Sequence, residues 1–320
     1  MSLASLSHFV SPQVVLSVQA LDFSLKDWRR NPRIGGLLGD TVLSGGKRLR
    51  PLMTFMMADL LGVDHAAIAP FGRMIELVHA STLAHDDVVD EASTRRGQPS
   101  INAVASNKRA VLAGDYLLAY VLQNIASYQR PDLLSEMAGI IGDLAEGEWL
   151  QIENSSASAL SWDDIERVAQ RKTGSVLRWC CVAPAMLGNF ETHALDQARR
   201  LGDAIGIAFQ LTDDILDFKR TDGAEGADVK NRVINAVIFE ALCAHRQTNT
   251  LDMSTVASLA IDSELELGIQ RVRSRVDHLV DEALDLLATL AAKAREQRGV
   301  DNSQALLSLQ SMVRYLAQRI

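Results

Sequence analysis

Two aspartate clusters set the terms on which this 320-residue chain can fold. Asp86-Asp87-Val88-Val89-Asp90 recurs as Asp213-Asp214-Ile215-Leu216-Asp217, each a DDxxD pattern with apolar residues in the gap. Both lie in stretches whose apolar residues repeat with the helical period. On a helix, positions i and i+4 share a face about one turn apart, so Asp86 points with Asp90 and Asp213 with Asp217. Carboxylates that close repel one another unless positive charge sits between them. Oxygen ligands on a fixed face suit Mg²⁺, which keeps several waters and bridges to substrate phosphates. Two such faces set opposite each other would hold a diphosphate through a cluster of metal ions. The bland alternative is a solvated acidic face or a helix cap. Ser161-Trp162-Asp163-Asp164 has that ordinary form, a cap followed by first-turn acids. The DDxxD motifs differ because apolar sequence surrounds them, Leu83-Ala84 before the first and Ile207-Ala208-Phe209 before the second.

Hydrophobic residues make up 48% of the chain and aromatic residues only 5%, so the apolar surface is mainly Leu, Ala, Val and Ile, which suits helices. Proline is scarce, at seven, so long helices can run unbroken. A net charge of −8 argues against non-specific nucleic-acid binding. Basic residues nevertheless cluster at Lys47-Arg48-Leu49-Arg50 and Arg95-Arg96, which points to a small anionic ligand rather than a polymer. Cys180, Cys181 and Cys243 have no CxxC spacing, so zinc is not indicated. The odd count and the lack of a basic n-region at the N-terminus fit a reducing, cytoplasmic setting. No run of roughly 18 apolar residues is present, so no transmembrane helix is expected.

The helical period continues along the chain. Helices are expected at about 12–30, then an interruption at Asn31–Gly36, a helix with Pro51 in its first turn ending near Gly62, and a long helix at about 66–91. A loop at Thr94–Pro99 precedes helices at about 102–126 and 131–154 and one starting at Ser161, with Gly174 inside or just beyond it. The second aspartate motif closes a helix at about 192–218, Thr221–Gly226 is the clearest loop, and helices resume at about 231–247, 255–298 with a break, and 301–319. The expected architecture is one all-α domain spanning 1–320.

With both motifs in view, the chain resembles the trans-type polyprenyl diphosphate synthases, in particular medium- and long-chain members such as octaprenyl diphosphate synthases. Gly45-Gly46-Lys47-Arg48-Leu49-Arg50-Pro51 matches the family's GGKRLRP segment, and His79 precedes the first aspartate by seven residues, as the family's histidine does. Arg95-Arg96-Gly97, Gly114-Asp115, Gly147-Glu148-Trp149-Leu150-Gln151, Lys172-Thr173 and Phe209-Gln210-Leu211-Thr212-Asp213-Asp214 follow in the family's order. One departure stands out: the segment after the second motif is several residues short and lacks the family's first Gly-Lys pair.

The resemblance implies roughly a dozen mostly antiparallel helices around a deep central cavity, usually as a homodimer. It implies head-to-tail addition of isopentenyl diphosphate to an allylic diphosphate, with two or three Mg²⁺ ions. Carried over residue by residue, Asp86, Asp90 and Asp213 would ligate magnesium, with Asp217 held at the site through water or second-shell bonds, and Asp87 and Asp214 would support them. Arg95, Lys172, Thr173 and Gln210 would serve the allylic diphosphate, and Lys47, Arg50, His79 and Arg96 the diphosphate of isopentenyl diphosphate. Among these, Asp86, Asp90, Asp213, Lys172 and Arg95 would carry the catalysis. No integral membrane segment is implied, which leaves room for peripheral contact with a membrane surface at product release.

Short-chain members tend to place Phe or Tyr one turn above the first motif, where this chain has Ser81 and Thr82. Each isoprene unit adds roughly one helical turn, ~5 Å. Small residues there put the floor of the tunnel deeper, among Met74, Ile75, Leu118, Leu122 or Met137, and the product beyond geranylgeranyl diphosphate. Two other readings compete. A non-catalytic subunit of a heteromeric synthase is motivated by the short loop. A class I terpene cyclase would carry a different second metal motif and would have no need of Lys47, Arg50, His79 and Arg96.

Overall fold

The computed structural model describes residues 9–25, 31–95, 97–157, 159–218, 234–246, 250–252 and 262–318. The described helices are α1 (Pro12–Gln19), α2 (Pro32–Asp40), α3 (Leu49–Leu61), α4 (His65–Val89), α5 (Ile101–Val104), α6 (Asn107–Ser127) and α7 (Pro131–Ser156). They continue with α8 (Trp162–Ala169), α9 (Ser175–Leu187), α10 (Thr192–Asp217), α11 (Ala236–Arg246), α12 (Asp262–Arg298) and α13 (Ser303–Ala317). A π-turn, Gln170–Gly174, joins α8 to α9. Among the described residues, strand content is confined to two small antiparallel ladders, β1 (Thr94–Arg95) with β2 (Gln98–Pro99) and β3 (Ala159–Ser161) with β4 (Thr250–Asp252).

The axis of the bundle is α3. Leu52, Met53, Phe55, Met56, Met57, Leu60 and Leu61 are all buried, and a helix apolar on every side belongs inside. Each such side chain contributes about 1.5–3 kcal/mol by leaving water. The helix stops at Gly62, whose φ of 66° and position 2.5 Å (for an added Cβ) from Val300 Cγ1 both require glycine. Helices α1, α4, α9 and α13 pack around it, α6 runs along α4, and α10 lies between α9 and α12. A second apolar cluster, with Ile165, Leu211, Ile215, Val237, Phe239, Val272 and Val276, fills the space beneath α10, α11 and α12. Leu279 and Val280 of α12 touch both clusters.

Most elements fall where the helical period places them, and the differences have local causes. The first helix ends at Gln19 rather than near 30, because Arg73 of α4 holds the next segment, donating to Asp22 O at 2.5 Å and Ser24 O at 2.8 Å. The expected interruption at Asn31–Gly36 is instead the start of α2: the Asn31 side chain accepts the Arg33 amide at 3.1 Å and Pro32 occupies the first turn. The helix expected at 102–126 is broken at Ser106 (φ 148°), whose hydroxyl accepts the Arg109 amide. Residues 94–99 carry the first ladder, and α12 runs unbroken from Asp262. The cap at Ser161 forms as expected, its amide and hydroxyl donating to Asp164 at 2.9 and 2.6 Å. The loop at 221–226, the shortened segment and Arg96 lie outside the described residues.

Candidate active site

The two aspartate motifs occupy the last turns of α4 and α10. The backbone carbonyls at a helix C-terminus carry partial negative charge. Each motif therefore adds carboxylates where the backbone is already negative, and the structure divides the work within each doublet. Asp87 is buried; it accepts Arg95 Nε at 2.6 Å and the Ile101 amide, the first of α5, at 3.3 Å. Asp214 is buried too; it accepts Gln210 Nε2 at 3.0 Å and the Ala236 amide, the first of α11, at 3.0 Å. The second aspartate of each doublet thus caps the next helix, where an anion is favoured. The first aspartates, Asp86 and Asp213, stay half-buried, and Asp90 is exposed at the end of α4.

A cleft of about 470 Å³ is lined by Asp90 from the first motif, Gln210 and Asp214 from the helix of the second, and Lys172 from the π-turn. Apolar groups complete the wall, among them Val89, Ile152, Ile165, Val168 and Ile234. Lys172 Nζ lies 2.5 Å from Glu148 Oε1 and donates to Gln151 Oε1 at 3.0 Å, so α7 aims the ammonium. Thr173 donates to Gln210 Oε1 at 2.8 Å, which starts a chain running through Gln210 to Asp214 and α11. Burial, with Glu148 and Asp90 nearby, pushes the Asp86 carboxyl up to about 7 despite Lys172 and Arg95. A carboxylate so short of positive charge, in a set of oxygen donors, fits a hard divalent cation.

A second, smaller cleft of about 200 Å³ opens beside Asp87. Arg95 lines it together with Ser44, Gly45, Gln98 and Ser100. Gly45 and Gly46 take φ values of 65° and 93°, which the turn ahead of α3 requires. Lys47 is exposed on that turn, and Arg50 in the first turn of α3 is half-buried. Arg48 turns inward instead, to Glu76 at 3.0 Å and Leu43 O at 2.7 Å, with its guanidinium 4.1 Å from the Phe23 ring centre. His79 is half-buried on α4, and its carbonyl accepts Thr82 Oγ1 at 2.9 Å. Ser81 is fully buried, its hydroxyl bound to Gly114 O at 3.0 Å across the α4–α6 contact. Met74, Ile75 and Met137 are buried in the large core, with Leu118 and Leu122 packed against it. The sequence alone assigned no role to Glu148 and Gln151; both hold Lys172. It missed Asn235, whose side chain accepts the Ile238 amide at 3.0 Å in the cleft wall. An Asn just ahead of the apolar run Ala236-Val237-Ile238-Phe239 was the available cap signal.

A sequence model of the polyprenyl synthetase family matches residues 32–260. The chain belongs to that family. Among relatives, the nonaprenyl diphosphate synthase of Mycobacterium tuberculosis is 32% identical over 82% of this chain and 80% of its own length. Component 2 of the heptaprenyl diphosphate synthase of Geobacillus stearothermophilus is 31% identical over 85% of this chain and 89% of its own. Among solved structures, a decaprenyl diphosphate synthase from Rhodobacter capsulatus superposes with a TM-score of 0.77 at 25% identity, covering 99% of both chains. This polyprenyl synthetase has the all-α architecture expected of it, and among its described residues no helix is long and apolar enough to cross a membrane.

The Asp86 environment generates a pH prediction for this family member without metal. A carboxyl with a folded-state pKa of about 7, raised from 3.8, binds its proton more tightly when folded. Stability then falls as pH rises from about 4 to about 7, and the full penalty is present above that. Asp86→Asn removes the penalty. In a chelator, thermal unfolding is expected to show the variant more stable than the natural protein at pH 8, with the gap closing toward pH 4. A gap that does not change with pH contradicts this electrostatic picture.

Proposed function

We propose that this protein condenses isopentenyl diphosphate head-to-tail with an allylic diphosphate to give a product longer than geranylgeranyl diphosphate. The observation that carries the reading is the cleft in which both acidic motifs, Lys172 and Gln210 come together beneath an apolar wall. Asp86 and Asp90 on one side and Asp213 on the other would hold magnesium, with Asp217 supporting through water. Among the described residues, no three acidic, histidine or cysteine side chains form a group able to hold an ion. Magnesium here would complete its shell with water and phosphate oxygens, its usual habit. When bound, it supplies positive charge for a departing diphosphate.

The chain's own groups account for the rest. Lys172, held by Glu148 and Gln151, offers a point charge to the allylic diphosphate, and Thr173 and Gln210 orient it. Lys47, Arg50, His79 and Arg96 would bind the second diphosphate, and Arg95, which lines the smaller cleft beside Asp87, would serve the allylic diphosphate from there. As the allylic carbon–oxygen bond breaks, the double bond of isopentenyl diphosphate attacks the cation, and the released pyrophosphate takes the proton lost afterwards. Ile165 and Val168 line the cleft with apolar surface that would disfavour water beside the cation. Ser81 and Thr82 are the positions from which α4 would meet a growing chain, and Thr82 is the more accessible of the two.

The exposed Val111 and Leu112 of α6, at 40% and 63% exposure, support the homodimer that the resemblance implies. So do the small exposed residues Ala138, Gly139, Gly142 and Ala145 of the neighbouring α7. Sedimentation equilibrium should return twice the chain mass, and a single chain mass would refute the dimer.

The deciding experiment incubates the protein alone with Mg²⁺, labelled isopentenyl diphosphate and farnesyl diphosphate, and sizes the extracted chains. Products beyond four isoprene units are expected, lost in a chelator and reduced on the order of 10²- to 10³-fold in Asp86→Ala or Asp213→Ala. Thr82→Phe should shorten them. Folded protein that turns over no allylic primer would overturn the proposal, and unchanged length in Thr82→Phe would remove α4 from the tunnel wall.

A further inference from the structure

The π-turn that presents Lys172 and Thr173 is an unusual piece of backbone with an unusually dense set of restraints. Backbone conformation is helical through Ala169, Gln170, Gly174 and Ser175, so residues 162–187 form one helix with a wide turn inside it. One extra residue in a helix rotates all that follows by roughly 100°. The width of this turn therefore decides which way Lys172 and Thr173 face.

Two neighbouring helices press on the turn through glycines. A Cβ at Gly147 of α7 would lie 2.8 Å from Lys172 N. A Cβ at Gly206 of α10 would lie 2.4 Å from Gly174 Cα. A half-buried ionic network ties the same three segments together. From α7, Asp143 binds Arg171 of the turn through one carboxylate oxygen and Arg178 of α9 at 2.7 Å through the other. From α10, Asp203 accepts Arg178 Nε at 2.9 Å and Gln170 Nε2 of the turn at 3.1 Å. Arg178 is thus the bridge between two carboxylates, and each carboxylate also grips one of the two residues immediately before Lys172. A planar guanidinium can span two acids in this way, which a point charge cannot do equally well. Gly202 makes room for the bridge, since a Cβ there would meet Arg178 Cα at 2.2 Å.

We propose that Arg178, with Asp143 and Asp203, is a positioning unit that fixes the π-turn and so aims Lys172 at the allylic diphosphate. Arg178 acts through Lys172 and does not itself touch substrate. The inference rests on the proposed role of the cleft, and the test separates the two.

The test is a double-mutant cycle on binding of inorganic pyrophosphate with Mg²⁺, read by titration calorimetry, so that no turnover is needed. Natural protein, Arg178→Met, Lys172→Ala and the double variant are compared, each checked for folding by circular dichroism. Arg178→Met should weaken pyrophosphate binding about tenfold, within the range seen for residues in one network. Arg178→Lys should recover part of that loss. In the Lys172→Ala background, Arg178→Met should have almost no further effect. Equal losses in both backgrounds, or no loss in either, would overturn the positioning role. If Arg178→Met does not fold, Asp203→Asn, which keeps the side-chain shape, is put through the same cycle under the same criteria. Natural protein that binds no pyrophosphate with Mg²⁺ would overturn the reading of the cleft itself, and this inference with it.

Discussion

Carboxylates gathered at two helix C-termini are the condition to which the upper end of this molecule answers. The helix dipole makes the last turn of α4 and of α10 negative before any side chain is counted. Adding an aspartate triplet to each would be costly unless most of the charge were met. Asp87 and Asp214 meet it within the protein, each taking the first amide of the next helix. Asp86 does not, and burial, with Glu148 and Asp90 nearby, raises the proton affinity of its carboxyl. Divalent cations would supply the missing positive charge, with a diphosphate completing their shells.

The cationic side chains nearby are held in place rather than left loose. Lys172 rests on Glu148 and Gln151, and Arg95 on Asp87. Groups fixed before substrate arrives need little rearrangement when charge develops, which is how such sites gain most of their rate. The arrangement depends on backbones approaching closely, and glycines at 147, 202 and 206 permit it. Fold and site are therefore coupled: the helix packing that builds the core also sets the direction of the side chains in the cleft.

Much of this was legible in the chain itself, because it depends on local pattern. The apolar period located the long helices, Pro51 and Gly62 bracketed α3, and Ser161 marked the start of α8. The DDxxD spacing placed the acidic residues together on helix faces. What stayed hidden depends on partners far along the chain. Arg73 straightens residues near Asp22 from 51 positions away, and nothing local to that segment announces it. Asn31 could be read as a breaker or as a cap, and only the folded backbone decides. The inward turn of Arg48 and the commitment of Ser81 to Gly114 are likewise tertiary facts. The π-turn was invisible because the side chains that contact it and α9, Asp143 and Asp203, lie far along the chain and no short motif joins them.

In the proposed site the two acidic motifs form one clamp, completed only by metal and diphosphate together. Counting bound Mn²⁺ by electron paramagnetic resonance, with and without inorganic pyrophosphate, tests it most directly. Weak binding of the ion alone is expected, and tight binding of two or three ions per chain once pyrophosphate is present. Asp86→Asn and Asp213→Asn should each abolish the tight binding. Mn²⁺ binding that is the same with and without pyrophosphate, or that survives loss of either motif, would contradict it.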